Sequence, residues 1–264
     1  MRLILATLTV ISALILLTYA VWVEPYQLSI VHHDMRRANE ANSLRLVQIS
    51  DLHLQGFGEH EKGIAQQVKA LAADVVVLSG DAIDRADALP WLQAFVEALG
   101  SAPVLLIPGN WEHWSRVHFK KLHTTGARLL LNERWTLSKG SRQLEITGLD
   151  DFTAGKPDMR LLHKQPKKDS ISSVLIQHSP AFFNQANVMQ RLEASNFNLC
   201  LAGHTHGGQV AFWGWGPIRP EGSGSFHSGF YDLPGCRLFV SRGVGTSILP
   251  IRLGAPPEVV VFDL

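Results

Sequence analysis

The chain has 264 residues, 46% of them hydrophobic, and a formal net charge of +1. That balance supplies no bulk attraction to nucleic acid, and no nucleic-acid partner is expected. The mixed composition also excludes a low-complexity chain or a solenoid repeat. Only two cysteines are present, Cys200 and Cys236, each inside an apolar strand-like run. The expectation is buried free thiols, not a disulfide framework.

Leu3 to Val23 is an almost unbroken apolar run, long enough to cross a bilayer as a helix. A cleaved signal peptide is the competing reading, with Thr18-Tyr19-Ala20 as its cleavage site. The length of the run and the mediocre site favour an uncleaved membrane anchor over residues 1–23. Arg2 before the run and Glu24 after it lean toward a cytoplasmic N-terminus, whereas Arg36 and Arg37 lean the other way, so the face stays open. Residues 24–42 read as a tether with apolar spots that can form a first edge strand. His32 and His33 are expected there as solvated residues. Residues 43–264, roughly 220 in all, are ample for one core.

From Leu44 the pattern is regular. Leu44–Ile49 reads as a buried strand, His60–Ala72 as a helix with Ile64, Val68 and Leu71 at helical spacing, and Asp74–Leu78 as a second strand. Pro90–Leu99 is a helix with proline at its start, and Val104–Ile107 a third strand. Short strands follow at Arg128–Leu131, Trp135–Ser138 and Leu144–Gly148, then a polar connection over Lys156–Ser170. Ser173–Ile176 is a strand, Ala181–Leu192 a helix, and Asn198–Ala202 a strand. Gln209–Trp213, Gly229–Leu233, Arg237–Ser241 and Glu258–Phe262 complete the strands. Continuous apolar runs between amphipathic helices indicate strands buried on both faces, hence an α/β domain: two packed sheets with helices outside, a four-layer sandwich.

Five of these strands close on metal-competent side chains. They are Asp51 with His53, Asp81, Asn110, His178, and His204 with His206 in Gly203-His-Thr-His-Gly-Gly208. In open α/β sheets, functional groups gather at the carboxyl ends of strands. Residues two apart in an extended chain share a side, so His204 and His206 are expected to aim at one space. Any one histidine alone reads equally as a satisfied core residue; the ensemble carries the argument. Carboxylates, a carboxamide and imidazoles together suit two divalent ions of the Mn, Fe or Zn type.

In this order, Asp-x-His, Gly-Asp, Gly-Asn, His and Gly-His-x-His resemble the calcineurin-like metallophosphoesterases, and Val240–Glu258 resembles their bacterial membrane-associated branch, which implies an anchor in a bacterial inner (cytoplasmic) membrane. The resemblance implies a four-layer α-β-β-α sandwich and a water activated by two metals that cleaves a phosphodiester or pyrophosphate bond. Asp51, His53, Asp81 and His206 would hold one ion, and Asp81, Asn110, His178 and His204 the other, with Asp81 as the bridge. It also raises a lipid-linked substrate, UDP-diacylglucosamine split in lipid A synthesis. A metal-binding scaffold that has lost turnover is the rival from another class.

One position departs from the family. Its third block carries a histidine after Gly-Asn that contacts phosphate and assists the leaving group, whereas here the block reads Gly109-Asn110-Trp111-Glu112-His113. Trp111 is no general acid, although its indole N–H can donate a hydrogen bond and keeps it a catalytic candidate; His113 is the candidate replacement for the missing histidine. Arg242 and Trp213 are candidates for substrate contact, with Arg219 and Arg252 as further phosphate-binding candidates. The Phe212-Trp213-Gly214-Trp215 loop is expected to face substrate or membrane.

Overall fold

A computed structural model describes residues 1–36, 43–162, 171–195, 197–211, 216–217 and 219–264. In chain order, its helices and strands are α1 (Arg2–Trp22), β1 (Ser29–Asp34), β2 (Arg45–Ile49), α2 (Glu59–Ala70), β3 (Val75–Leu78), α3 (Leu89–Ala98) and β4 (Val104–Leu106). These are followed by α4 (Asn110–Trp114), α5 (Phe119–Leu122), β5 (Arg128–Leu129), β6 (Glu133–Lys139), β7 (Arg142–Gly148) and β8 (Ile171–Ile176). The last are α6 (Ala186–Ser195), β9 (Leu199–Ala202), β10 (Gly229–Leu233), β11 (Cys236–Val240) and β12 (Glu258–Asp263).

The strands form two six-stranded sheets, ordered β1-β12-β2-β3-β4-β5 and β10-β11-β9-β8-β7-β6. β2 to β5 run parallel, as do β7, β8, β9 and β11, which collects their carboxyl ends along one edge of each sheet. Alternate residues of each strand serve different layers. Leu46, Val75, Val77 and Leu105 meet Ile146, Val174, Ile176 and Leu201 between the sheets. Val47, Ile49, Val76 and Leu78 face outward onto Ile64 and Val68 of α2 and Leu92 and Phe95 of α3. On the other side, Leu175, Cys200 and Leu238 pack against Val188 and Leu192 of α6. The four-layer sandwich follows from these three apolar layers. Phe95 is fully buried, so Phe95→Ala would leave a cavity costing about 3–5 kcal/mol.

Several expectations need correction. Within residues 24–42, Ser29–Asp34 forms the edge strand that the apolar spots allowed, pairing in parallel with Glu258–Asp263. His33 is therefore not solvated, and its ring packs against Phe230, Phe239 and Phe262. Burial holds its pKa below the usual histidine value. The cysteines are not free: Cys200 and Cys236 lie on neighbouring parallel strands with Cα atoms 6.1 Å apart, and their sulfurs are joined. The helix expected over Ala181–Leu192 is split into a 3₁₀ turn at Pro180–Asn184 and α6, with Gln185 extended between them. Of the strand expected at Gln209–Trp213, the described residues form only one bridge, Val210 to Leu253, because Gln209 turns into positive φ. Helix α4, opened by the Gly-Asn block, was not expected. Parts of the 156–170 connection and the 212–215 loop, including Trp213, lie outside the described residues.

α1 is long and apolar enough to cross a membrane by length and composition, a test that a signal sequence also passes. It does not hang free of the domain. Arg252 donates its backbone N–H to the Ala20 carbonyl at 2.9 Å. The buried Glu24 carboxylate accepts the N–H groups of Gly254 and Ala255 at 3.0 and 2.7 Å.

Candidate metal centre

Each ligand candidate sits just past a strand, where the chain must leave the sheet abruptly. Asp51, His53, Asp81, His204 and His206 all have φ between +45° and +71°, a left-handed backbone uncommon for residues with a side chain. Such strain persists only where surrounding contacts over-determine it. Here those contacts are dense. A Cβ on Gly109 would collide with the Asp81 carboxylate, and one on Gly203 with Ser50 and Asp51, so glycine is required at both. The buried Glu112 carboxylate accepts the N–H groups of Asp81, Ala82, Ile83 and Gly109 at 2.7–3.1 Å, which fixes the turn that presents Asp81. Burial and the nearby Asp81 push the Glu112 pKa up to about 7.

The structure brings the predicted residues together in two buried groups. Asp51, His53 and His206 form one, and Asp81, His178 and His204 the other, with one donor atom from each residue within 4.8 Å of the rest of its group. Asn110 joins the second, its Oδ1 lying 2.8 Å from His204 Nδ1. Asp81 Oδ2 is 3.1 Å from His178 Nε2 and 3.9 Å from His53 Nε2, so this carboxylate stands between the groups. His204 and His206 both line one cavity, but the left-handed turns at both abolish the alternation of an extended chain and send the imidazoles to different groups within it.

The test of fit is what the second nitrogen of each imidazole does, since a metal-bound histidine usually donates its other N–H to an oxygen. His178 Nδ1 donates to the Ser79 carbonyl at 2.9 Å, which leaves its buried Nε2 without a hydrogen bond and facing Asp81. His204 Nε2 donates to the Glu221 carbonyl at 2.6 Å, which turns the Nδ1 lone pair toward Asn110. His53 Nδ1 is held by Asp84, and its Nε2 lies 3.1 Å from His206 Nε2. Nitrogen lone pairs aimed at one another and at carboxylate oxygens call for positive charge between them. The ionisation behaviour agrees. Burial would lower the His178 pKa, but Asp81 outweighs it and holds it well above the ordinary value. Burial and then His53 hold His206 well below that value, in the neutral form that binds metal. Burial disfavours the Asp81 charge, yet His178, His53 and His204 together bring its pKa down to about 2. The residues fit two divalent cations.

The other site expectations fare differently. Trp111 lines the cavity over the centre, its ring edge-on to His53 at 5.9 Å. His113 does not line it: its Nε2 pairs with Asp150 at 2.7 Å and its ring packs on Phe119. α4 turns that side chain to the opposite side, so His113 is not in position to replace the family histidine. Arg242 is not free for substrate, since its guanidinium donates to Glu258 Oε2 at 2.6 and 2.9 Å. Arg252 is fully buried, spending its guanidinium on the carbonyls of Arg242, Gly245 and Ala255 beside His206. Arg219 is exposed and off the cavity. Sequence reasoning missed Asp84, Glu112 as a turn clamp, and Glu24. Gly80-Asp81-x-x-Asp84 and the acid after Asn110 were the available signals for the first two.

Two buried groups of imidazoles and carboxylates at the strand ends of a double-sheet sandwich make a site able to hold metal ions. Residues 44–208 match the calcineurin-like phosphoesterase family, and the chain belongs to it as a phosphoesterase. The chain is similar to the uncharacterized metallophosphoesterase YkuE of Bacillus subtilis, 30% identical over 263 residues, 93% of this chain and 88% of that protein. It is also similar to phosphodiesterase YaeI of Escherichia coli, 26% identical over 268 residues, 93% of this chain and 92% of that one. Among solved structures, TT1561 of Thermus thermophilus aligns over 77% of this chain and 91% of that one, at a TM-score of 0.49 and 12% identity.

Proposed function

We propose that the protein is a dinuclear-metal phosphodiesterase attached to the bacterial inner membrane. In this reading Asp51, His53 and His206 hold one ion, Asn110, His178 and His204 the other, and Asp81 bridges them. The observation that carries it is the tying down of the second nitrogen of His53, His178 and His204, which leaves their other nitrogens turned into the centre. When bound, divalent ions of the Mn, Fe or Zn type would supply a water of lowered pKa and neutralise charge on the phosphoryl oxygens.

The protein's own part is positional. Asp84 and the Ser79 and Glu221 carbonyls hold the imidazole tautomers, Glu112 holds the Asp81 turn, and the Trp111 ring stands edge-on to His53. No histidine beyond the proposed ligands lines the cavity among the described residues, so no imidazole is placed to protonate a poor leaving group. That favours a phosphodiester or anhydride with a good leaving group over an alkyl monoester, and the similarity to phosphodiesterase YaeI points to the diester. The membrane-length α1, latched to the domain through Arg252 and Glu24, supports a membrane-associated substrate. Trp111 in the family's histidine position is the observation that keeps the scaffold reading as the second one.

The test is metal analysis of the full-length protein with hydrolysis of bis-p-nitrophenyl phosphate, before and after chelation and with Mn restored. About two ions per chain and metal-restored turnover are expected. Hydrolysis indifferent to chelation would overturn the reading, and metal without hydrolysis would favour the scaffold.

A further inference from the structure

Above the metal centre lies a cavity of about 420 Å³. Its floor is Asp81, Asn110, His204 and His206, while its wall is built from Trp111, Trp114, Val210, Ile248, Leu249 and Ile251. No lysine or arginine lines it among the described residues. A polyphosphate or nucleotide would therefore find no cationic side chain there and would meet the acidic Glu221, whereas the side toward Trp114, Ile248 and Leu249 offers hydrocarbon, with Gln209 and Ser247 between.

The outer part of this wall is exposed: Trp114 to 59%, Leu249 to 56% and Ile248 to 90%. Single exposed apolar residues need no explanation, but three on the rim of one cavity form a patch. The rim is also strained. Ile248 has φ +63°, held by a tight turn in which Leu249 N–H donates to the Ser247 carbonyl at 2.7 Å. Positive φ is a genuine outlier for a β-branched residue, and such outliers cluster at ligand clamps. Finally, the same loop carries the latch to α1: Arg252, next to Ile251, bonds to Ala20, and Gly254 and Ala255 bond to Glu24. The apolar rim is thus continuous with the end of the membrane-length helix.

We infer that this wall is an alkyl-chain site and that the substrate is an amphiphilic phosphodiester. Its one phosphate lies at the metal centre, and its hydrocarbon chain lies along Trp114, Ile248 and Leu249. The inference rests on the phosphodiesterase reading above. Water adds to phosphorus, the bond to one ester oxygen breaks, and that oxygen takes up a proton, so the products are an alkyl phosphomonoester and an alcohol.

The experiment compares methyl and hexyl p-nitrophenyl phosphate, which share a leaving group, with the full-length protein in phosphatidylcholine nanodiscs. Partial burial of the added methylenes predicts kcat/KM about tenfold or more higher for the hexyl ester. In the Ile248→Asn, Leu249→Asn double variant that ratio is expected to fall to about threefold or less, since a polar wall no longer removes the chain from water. Equal values for the two esters in the wild type overturn the alkyl-chain site while leaving the phosphodiesterase intact. A hexyl preference that survives in the double variant reports partition into the bilayer alone and also overturns it. Failure to hydrolyse either ester with Mn present removes the phosphodiesterase reading, and this inference with it.

Discussion

The floor and the wall of the cavity face one another, yet the floor side chains are buried and fixed while the outer wall side chains are exposed. On the floor the ligand candidates are buried and cross-braced: His178 by the Ser79 carbonyl, His204 by Glu221, His53 by Asp84, and Asp81 by the turn that Glu112 clamps. The wall is tied at its backbone, where the Gln209 carboxamide accepts the Ser247 N–H at 3.0 Å and donates to the Leu249 carbonyl at 2.7 Å, while its outer apolar side chains are left unburied. Ile248 and Leu249 project into solvent, and their loop is anchored through backbone bonds to α1. Chemistry on charged phosphorus needs donors placed in advance, because a misplaced ligand loses both metal and geometry. Contact with a hydrocarbon chain is non-directional and tolerates a looser surface.

The comparison can be broken most severely at the floor. Asp81→Asn removes the carboxylate that stands between the groups. Metal content should drop below that of the wild type, and turnover of a soluble diester should fall on the order of 10³-fold. Metal analysis and steady-state kinetics read both, and unchanged values would refute the bridging assignment. Asp84→Asn leaves every proposed ligand in place but weakens the hold on His53 Nδ1. Metal affinity should fall about 10–100-fold, read by competition with a chelator of known affinity.

The wall side is tested more gently. Glu24→Gln replaces the charged acceptor of the Gly254 and Ala255 N–H groups. A loss of about 1–2 kcal/mol is expected, seen as faster amide exchange at the latch while metal content stays at the wild-type level. Loss of bound metal in that variant would show that the latch and the floor are one unit.

The smallest effect is expected off the cavity, at His113 and Asp150. Burial works against both charges, but each partner's charge prevails, so the His113 pKa is raised from 6.5 and that of Asp150 lowered from 3.8. The stabilisation from His113 is complete below 6.5 and fades as pH rises through its folded value. That from Asp150 is complete above 3.8 and fades as pH falls through its own. His113→Asn should therefore cost most between pH 3.8 and 6.5, at about 1 kcal/mol for a largely buried pair at the edge of the fold, and least near pH 9. Denaturant midpoints across that range check it. A large loss of diester turnover would instead return His113 to the reaction.

By itself, the amino-acid sequence determined the layers and the seven candidate ligands. Apolar runs such as Asp74–Leu78 can be satisfied only by burial on both faces, and the strand-end blocks place side chains of one chemistry at one edge. These signals are local, carried by period and by residue type. The tertiary structure decided what depends on distant segments meeting. Left-handed turns at His204 and His206, just past the point where Gly203 packs on Ser50 and Asp51, assign the two imidazoles to different groups. Asp150 draws His113 off the cavity, Glu258 occupies Arg242, and backbone carbonyls cage Arg252. Register between β9 and β11 joins the two cysteines. Glu24, read along the chain as a flanking charge, becomes a buried acceptor because residues 254 and 255 return to it from the far end. No local pattern encodes such partners, since each is set by which strands lie side by side.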